Sequence, residues 1–225
     1  MLLNTIIAHR GIHYKYLENT IPAFIEAINK KCIIELDVRL TKDNQVIVFH
    51  DHNLKRIFGI NRDIKDLTIK EIKKYNYIPT LEDVLKLVNN RVPIIIEVKH
   101  SKGIEKRLTN ILDKYNGIFF IQSFNPYTIL WFKNKKKYLI GLLTYNFFHL
   151  KSILFILRPN YIATNLNNLI NIQKYRKKYI VLGYTLKTKK EYQKYKDYAD
   201  NFICDIQGKI KNKETVPLRT ASQKE

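Results

Sequence analysis

Short, continuously apolar runs alternate with amphipathic segments along almost the whole chain. The runs are 5–8, 33–38, 94–98, 118–121, 139–143, 160–163, 180–183 and 202–204. Runs this short and this apolar predict strands covered on both faces, as in a parallel sheet. Between them, near 20–30, 81–90, 103–114, 126–134, 147–156, 167–177 and 188–197, the apolar positions recur at helical spacing. In ENTIPAFIEAI, Ile21, Phe24, Ile25 and Ile28 form one apolar face, Asn19 or Thr20 is placed to cap, and Pro22 suits the first turn. In IPTLEDVLKLV, Thr80 and Asp83 make a variant capping box ahead of a Leu81, Val84, Leu85, Val88 stripe. LLTYNFFHLKSILFIL reads as a strand end followed by a buried helix, with His149 packed inside it.

Eight strand–helix units predict an α/β fold closed into a (β/α)8 TIM barrel rather than an open sheet. A ninth apolar run, 46–49, does not fit the rhythm. Residues 45–80 therefore read as a small excursion after the second barrel strand. No Pro/Gly/Ser-rich linker divides the chain, so residues 1–225 read as one domain with a polar tail over about 211–225.

The strands end in residues that do not belong in a core unless something pairs with them. His9 and Arg10 end TIIAHR, Glu35 and Asp37 sit in IIELDV, His50 and Asp51 end VIVFHD, and Glu97 and Lys99 close PIIIEVK. On a parallel barrel all C-terminal strand ends open on one face, where ligands bind. Residues two apart on a strand share a side, so Glu35 with Asp37, and Glu97 with Lys99, should aim together. Three converging carboxylates repel one another unless a cation joins them. Their all-oxygen set suits Mg2+ or Ca2+ better than zinc. The alternative is buried ion pairing with Arg39 or Lys99. His9 and His50 beside such a cluster suit acid–base chemistry near neutral pH. Arg10 offers a planar fork for phosphate oxygens and Lys99 a compact charge. His13, His52 and His100 read as flanking residues.

Composition changes the picture less. The formal charge is +20, from 40 basic and 20 acidic residues. The lysines are scattered over the predicted helices beside abundant Ile, Asn and Tyr, so no nucleic-acid track is expected. Weak attraction to an anionic membrane surface is left open. Cys32 and Cys204 lie far apart and read as buried thiols, which excludes a disulfide framework. No apolar run is long enough to span a membrane and no secretory signal is visible, so a cytoplasmic location is expected.

Taken together, AHRG, ENTIPAFIEAI, IIELDVRLTKDNQVIVFHD, IIIEVK and QSF resemble the glycerophosphodiester phosphodiesterase family. The order and spacing of these motifs carry the resemblance. It implies a distorted (β/α)8 barrel and metal-dependent hydrolysis of glycerophosphodiesters, small-molecule substrates, to glycerol 3-phosphate and an alcohol. It implies His9 and His50 as the acid–base pair, Glu35, Asp37 and Glu97 as metal ligands, and Arg10 and Lys99 on the phosphate. Glu18 matches a position at the site rim, Gln122 one near the pocket floor with Phe124 beneath it, and Tyr184 takes the place of an aromatic in the substrate pocket. The chain departs from the family near its end. Lys187 stands near an asparagine place, and Asp205 lacks the proline that usually follows soon after. Rival readings are a phospholipase D-like lyase acting on lysophospholipids, an inositol-lipid phosphodiesterase, and a non-catalytic basic phosphate- or nucleic-acid-binding barrel.

Overall fold

Among the described residues nine strands are laid down in chain order: β1 Ile7–Ala8, β2 Ile33–Leu40, β3 Val46–Val48, β4 Ile94–Val98, β5 Phe119–Ser123, β6 Leu139–Leu143, β7 Tyr161–Asn165, β8 Ile180–Leu186 and β9 Asn201–Cys204. The computed structural model describes residues 2–3, 5–135, 138–145 and 147–205. The predicted tail over 211–225 lies outside them. Every strand except β3 runs parallel to its neighbours, and β1 pairs with both β2 and β9. That double pairing closes an eight-stranded barrel surrounded by helices, a distorted (β/α)8 TIM barrel. β3 runs antiparallel on the extended end of β2. With two short helices, Lys55–Phe58 and Ile69–Ile72, it builds the excursion after the second barrel strand. Ile47, Phe49, Leu54, Ile64, Leu67, Ile72 and Ile78 give the excursion its own apolar cluster.

The lumen explains the sequence pattern. Ile7, Ile33, Ile95, Phe120, Leu143, Tyr161, Leu182 and Ile203 pack inside the barrel as one cluster. Side chains alternate along a strand. The residues two positions further on are His9, Glu35, Glu97, Gln122, Tyr145, Ala163, Tyr184 and Asp205. An apolar plug thus fills the lower lumen, and a mostly polar layer sits above it at the mouth. Tyr161 fits the plug because Gly141 on the next strand has no side chain. A Cβ there would meet the Tyr161 ring at 2.1 Å.

The helices pack their apolar stripes on the outside of the barrel. Thr80 and Asp83 form the expected capping box, with the Asp83 N–H donating to Thr80 Oγ1 at 3.1 Å and the Thr80 N–H to Asp83 Oδ2 at 3.2 Å. The helix Ile21–Asn29 differs from expectation. Thr20 has cap geometry, but its hydroxyl donates to the Leu17 carbonyl at 2.6 Å, and the Asn19 side chain reaches Asp37 instead. The segment 167–177 is broken into two 3-10 turns around the short helix Leu169–Ile172. The Asn165 side chain starts this break by accepting from the Asn168 N–H at 3.1 Å. The helix Leu150–Leu157 is not buried as expected. Leu150, Leu154 and Leu157 face the barrel, whereas Phe155 and Ile156 are exposed. His149 lies just before that helix, exposed, with its ring edge-on to Phe148. A single helical stripe reaches the barrel, so the opposite face keeps its apolar residues in solvent.

Cys32 is buried and Cys204 partly so, and neither is in a disulfide. Burial pushes their thiols up, to about 11 and about 12. Among the described residues no helix is long and apolar enough to cross a membrane.

Candidate active site and metal centre

The mouth layer is organised around β2 and β4. Their register sets Asp37 opposite Glu97 and Glu35 opposite Ile95. Glu35, Asp37 and Glu97 each bring a carboxylate oxygen within 4.8 Å of the other two, and all three residues are buried. Two cations answer them. Lys99 Nζ bonds Glu97 Oε1 and lies 2.9 Å from Asp37 Oδ1. Arg10 brings Nε to 3.2 Å from Asp37 Oδ2 and donates from a terminal nitrogen to Glu18 at 2.7 Å. Arg39, the other expected counter-charge, instead donates to the His50 carbonyl at 2.8 Å. The turn after β1 delivers further donors. Arg10 has φ of +54° and Gly11 φ of +79°, which aims the Arg10 N–H at Glu35 Oε2, 3.1 Å away. Gln122 Nε2 donates to Glu35 Oε1 at 3.3 Å, and the Tyr161 hydroxyl donates to Gln122 Oε1 at 2.9 Å. Gln122 therefore sits on the floor, holding Glu35. Asn19 Nδ2 donates to Asp37 Oδ2 at 2.9 Å.

Charge is unevenly balanced here. Burial, then Asp37 and Glu97, pushes the Glu35 carboxyl well above its ordinary range. Burial and then Asp37 raise Glu97. Burial also acts upward on Asp37, but Lys99, Arg10 and His50 outweigh it and hold that carboxyl well below the usual range. Glu35 is thus left with the least compensation. A hard divalent cation is the group that removes such a penalty, and the all-oxygen donors fit one. Glu35, Asp37 and Glu97 would hold it.

Two histidines flank this cluster, each tied to a carboxylate. His9 Nδ1 lies 2.6 Å from Asp205 Oδ1, and His50 Nδ1 lies 2.6 Å from Asp51 Oδ1. Asp205 and Asp51 are both held below their usual range. Burial opposes this at each, but is outweighed by bonds from His13 and His9 at Asp205, and from Arg56 and His50 at Asp51. An ionised carboxylate only accepts, so Nδ1 carries the proton and Nε2 is the nitrogen left for proton transfer. β1 and β9 place the first pair, since Ala8 pairs with Cys204 and the His9 N–H donates to the Cys204 carbonyl at 3.0 Å. The His50 imidazole is pushed down, first by burial and then by Lys99 and Arg10, against the pull of Asp37.

The rim is partly polar and partly aromatic. Glu18 is shared by Arg10 and Arg56, whose terminal nitrogens donate at 2.7 and 2.5 Å. Tyr184 is half-buried, with Phe124 edge-on at 6.3 Å. Phe124 does not pack beneath the floor as expected. It stands at the rim, against Tyr145 at 5.5 Å. Sequence reasoning leaves three contributors without a role at the site. By sequence Asn19 is only a helix cap, His13 a loop residue, and Asp205 a point of family likeness. The i+2 spacing from the core residue Ile203 is the signal that finds Asp205.

The model of the Glycerophosphoryl diester phosphodiesterase family matches residues 9–205. A glycerophosphodiester phosphodiesterase from Caldanaerobacter subterraneus subsp. tengcongensis is 36% identical over 159 residues, 61% of this chain and 65% of that protein. The human protein Lysophospholipase D GDPD1 is 35% identical over 134 residues, 51% of this chain and 42% of its own. The chain thus spans between 42% and 65% of the length of these curated relatives. The crystal structure of glycerophosphodiester phosphodiesterase from Thermotoga maritima matches with a TM-score of 0.79 at 29% identity, covering 90% of this chain and 94% of that one. An Oleispira antarctica phosphodiesterase, solved with the product sn-glycerol-3-phosphate, shares the fold with a TM-score of 0.80 at 20% identity, over 89% and 92% of the two chains. A family match running from the first mouth histidine to the aspartate that holds it, on a barrel of the same shape, places this chain in the glycerophosphoryl diester phosphodiesterase family.

Proposed function

We propose that the chain hydrolyses glycerophosphodiesters to glycerol 3-phosphate and an alcohol, with Mg2+ or Ca2+ as cofactor. The observation that carries this reading is the pair of histidines, each oriented through Nδ1 by a carboxylate, on either side of three buried carboxylates. The bound cation would draw charge from the phosphate oxygens as the transition state develops. Arg10 and Lys99 add fixed positive charge at the same oxygens. One imidazole Nε2 takes the proton from the nucleophile, either water or the neighbouring glycerol hydroxyl. The other gives a proton to the departing alkoxide. If the hydroxyl attacks, a cyclic phosphate forms, and water then opens it with the two roles exchanged. Glu18 holds Arg10 in place, Gln122 fixes Glu35, and Tyr184 faces the leaving group. A single barrel domain, with a polar tail over about 211–225, would carry these groups, and the two free thiols favour a reducing, cytoplasmic setting.

The decisive assay offers glycerophosphocholine, glycerophosphoethanolamine and glycerophosphoglycerol to the purified protein with Mg2+, Ca2+ or chelator. Glycerol 3-phosphate should appear with metal and vanish in chelator. No turnover of any diester would end this reading.

A second reading rests on the aromatic rim. Tyr145 is 68% exposed just beyond β6 and packs on Phe124, which stands edge-on to Tyr184. Such a shelf next to the mouth suits one acyl chain, and thus a lysophospholipid in place of a deacylated diester. Release of choline from lysophosphatidylcholine faster than from glycerophosphocholine would favour it. Tyr145→Ser should then slow only the lipid substrate.

A further inference from the structure

His13 has no part in the acid–base scheme, yet it shares a carboxylate with His9. Its Nε2 lies 3.3 Å from Asp205 Oδ1, the same oxygen that lies 2.6 Å from His9 Nδ1. The three donor atoms all fall within 4.8 Å of one another. Their positions are fixed by backbone rather than by side-chain chance. His9 and Asp205 sit at the paired ends of β1 and β9. The loop between His9 and His13 is pinned by Gly11, where a Cβ would meet the Ala23 carbonyl at 2.9 Å, and by the Ile12 N–H donating to that carbonyl at 3.0 Å. All three side chains are partly exposed, which leaves a route in and room for water as a further ligand.

We propose that His9, His13 and Asp205 form a second metal site, selective for a transition cation such as Zn2+ or Co2+, whose occupation shuts down the enzyme. Two imidazoles and one carboxylate are the ligand set of open tetrahedral zinc sites. Metal–ligand bonds of about 2.0–2.2 Å place such donors roughly 3.3–3.5 Å apart. Asp205 Oδ1 already lies 3.3 Å from His13 Nε2, so reaching that spacing needs the carboxylate to back away from His9, now 2.6 Å distant, and the two imidazoles to close from no more than 4.8 Å. The nitrogen donors distinguish this site from the all-oxygen cluster of Glu35, Asp37 and Glu97, which prefers hard cations. Lys187 Nζ lies 3.9 Å from Asp205 Oδ2. It is exposed and on a flexible stem, free to move to solvent. On binding, the cation would take Nδ1 of His9 and the carboxylate that orients it; the Nδ1 proton passes to water, and the neutral ring takes one from water on Nε2. The ring then loses basicity at Nε2, and proton transfer stops. Only this inhibitory consequence rests on the proposed hydrolytic function.

The test keeps the full chain in excess Mg2+, so that the carboxylate cluster is filled, and adds Co2+. The wild-type protein should take up one Co2+ per chain with visible d–d bands of a nitrogen- and oxygen-ligated site. His13→Gln should weaken that uptake at least tenfold. In the wild type, Co2+ should also broaden the imidazole resonances of His9 and His13 together, a readout that needs no variant to fold. Zn2+ should inhibit glycerophosphocholine turnover by the wild type at least tenfold more strongly than turnover by His13→Gln, each taken relative to its own rate without Zn2+. Absence of the bands, or equal Co2+ uptake and equal Zn2+ inhibition in both proteins, would overturn the proposal. Bands and broadening without any diester turnover would uphold the metal site and overturn the hydrolytic reading instead.

Discussion

Lys99 stands where a cation is most needed. Its ammonium bonds Glu97 and lies 2.9 Å from Asp37, and its side chain is only 15% exposed. In the metal-free protein it therefore does part of the work that a bound divalent cation would do. Lys99→Met keeps most of the buried stem and deletes the charge. Removing one partner of a buried ion pair costs about 3–5 kcal/mol. Glu97, already raised, can take up a proton and soften the loss, so the lower end, about 3 kcal/mol, is expected. For a chain of this size that lowers the melting midpoint by roughly 6–12 °C. Mg2+ should then rescue the variant. At one hundred times its dissociation constant a ligand restores about 2.7 kcal/mol. The pH dependence follows from Asp37, whose carboxyl is depressed in the fold. Its stabilising pairing is present above its unfolded value and is lost as pH falls through the depressed one. The gap between the two proteins should accordingly persist at about pH 4 and narrow only in stronger acid, below the unfolded carboxyl range. Thermal unfolding in chelator and in Mg2+, at neutral pH and in acid well below the unfolded carboxyl range of about 4, measures all of this. A Lys99→Met protein that melts within a degree of wild type in chelator would refute the reasoning.

Alanine at His9 or at His50 should lower kcat by about 10²–10⁴ with the melting midpoint kept, and near-normal turnover would remove that residue from the acid–base pair. Because burial, then Lys99 and Arg10, hold the His50 imidazole below 6.5, the acid limb of the rate–pH profile should fall below that value if His50 is the base. A midpoint at or above it in wild type would argue against His50 in that role. Gly11→Ala forces a left-handed residue against the Ala23 carbonyl. It should cost about 2 kcal/mol or more, or roughly 4–8 °C in midpoint, and an unchanged melting curve would show that the turn yields freely.

Strand positions are legible in the sequence because a parallel barrel buries its strands on both faces, and continuous apolar runs announce that directly. The carboxylate cluster is legible because an acid interrupting such a run is too costly to bury without a partner. What stays hidden depends on distant parts of the chain. Asp205 meets His9 across 196 residues, and nothing near either residue in sequence reports the pairing. Asn19 has good capping chemistry locally, yet Asp37 makes the better use of its amide. Phe155 lies in a helix, as its spacing indicates, but periodicity does not say whether a second layer covers the outer face.

The seam between β1 and β9 gives assembly of the mouth an order in time. On a ribosome, β1, β2 and β4 emerge first and bring with them His9, Glu35, Asp37, Glu97 and Lys99. Asp205 follows β9 and is made more than one hundred residues later. A nascent chain can hence gather its anionic cluster, and even a cation, well before His9 acquires the carboxylate that sets its tautomer. Under the proposed acid–base scheme turnover should begin only when the cylinder is shut, so the onset of diester hydrolysis during synthesis would be a clock for barrel closure.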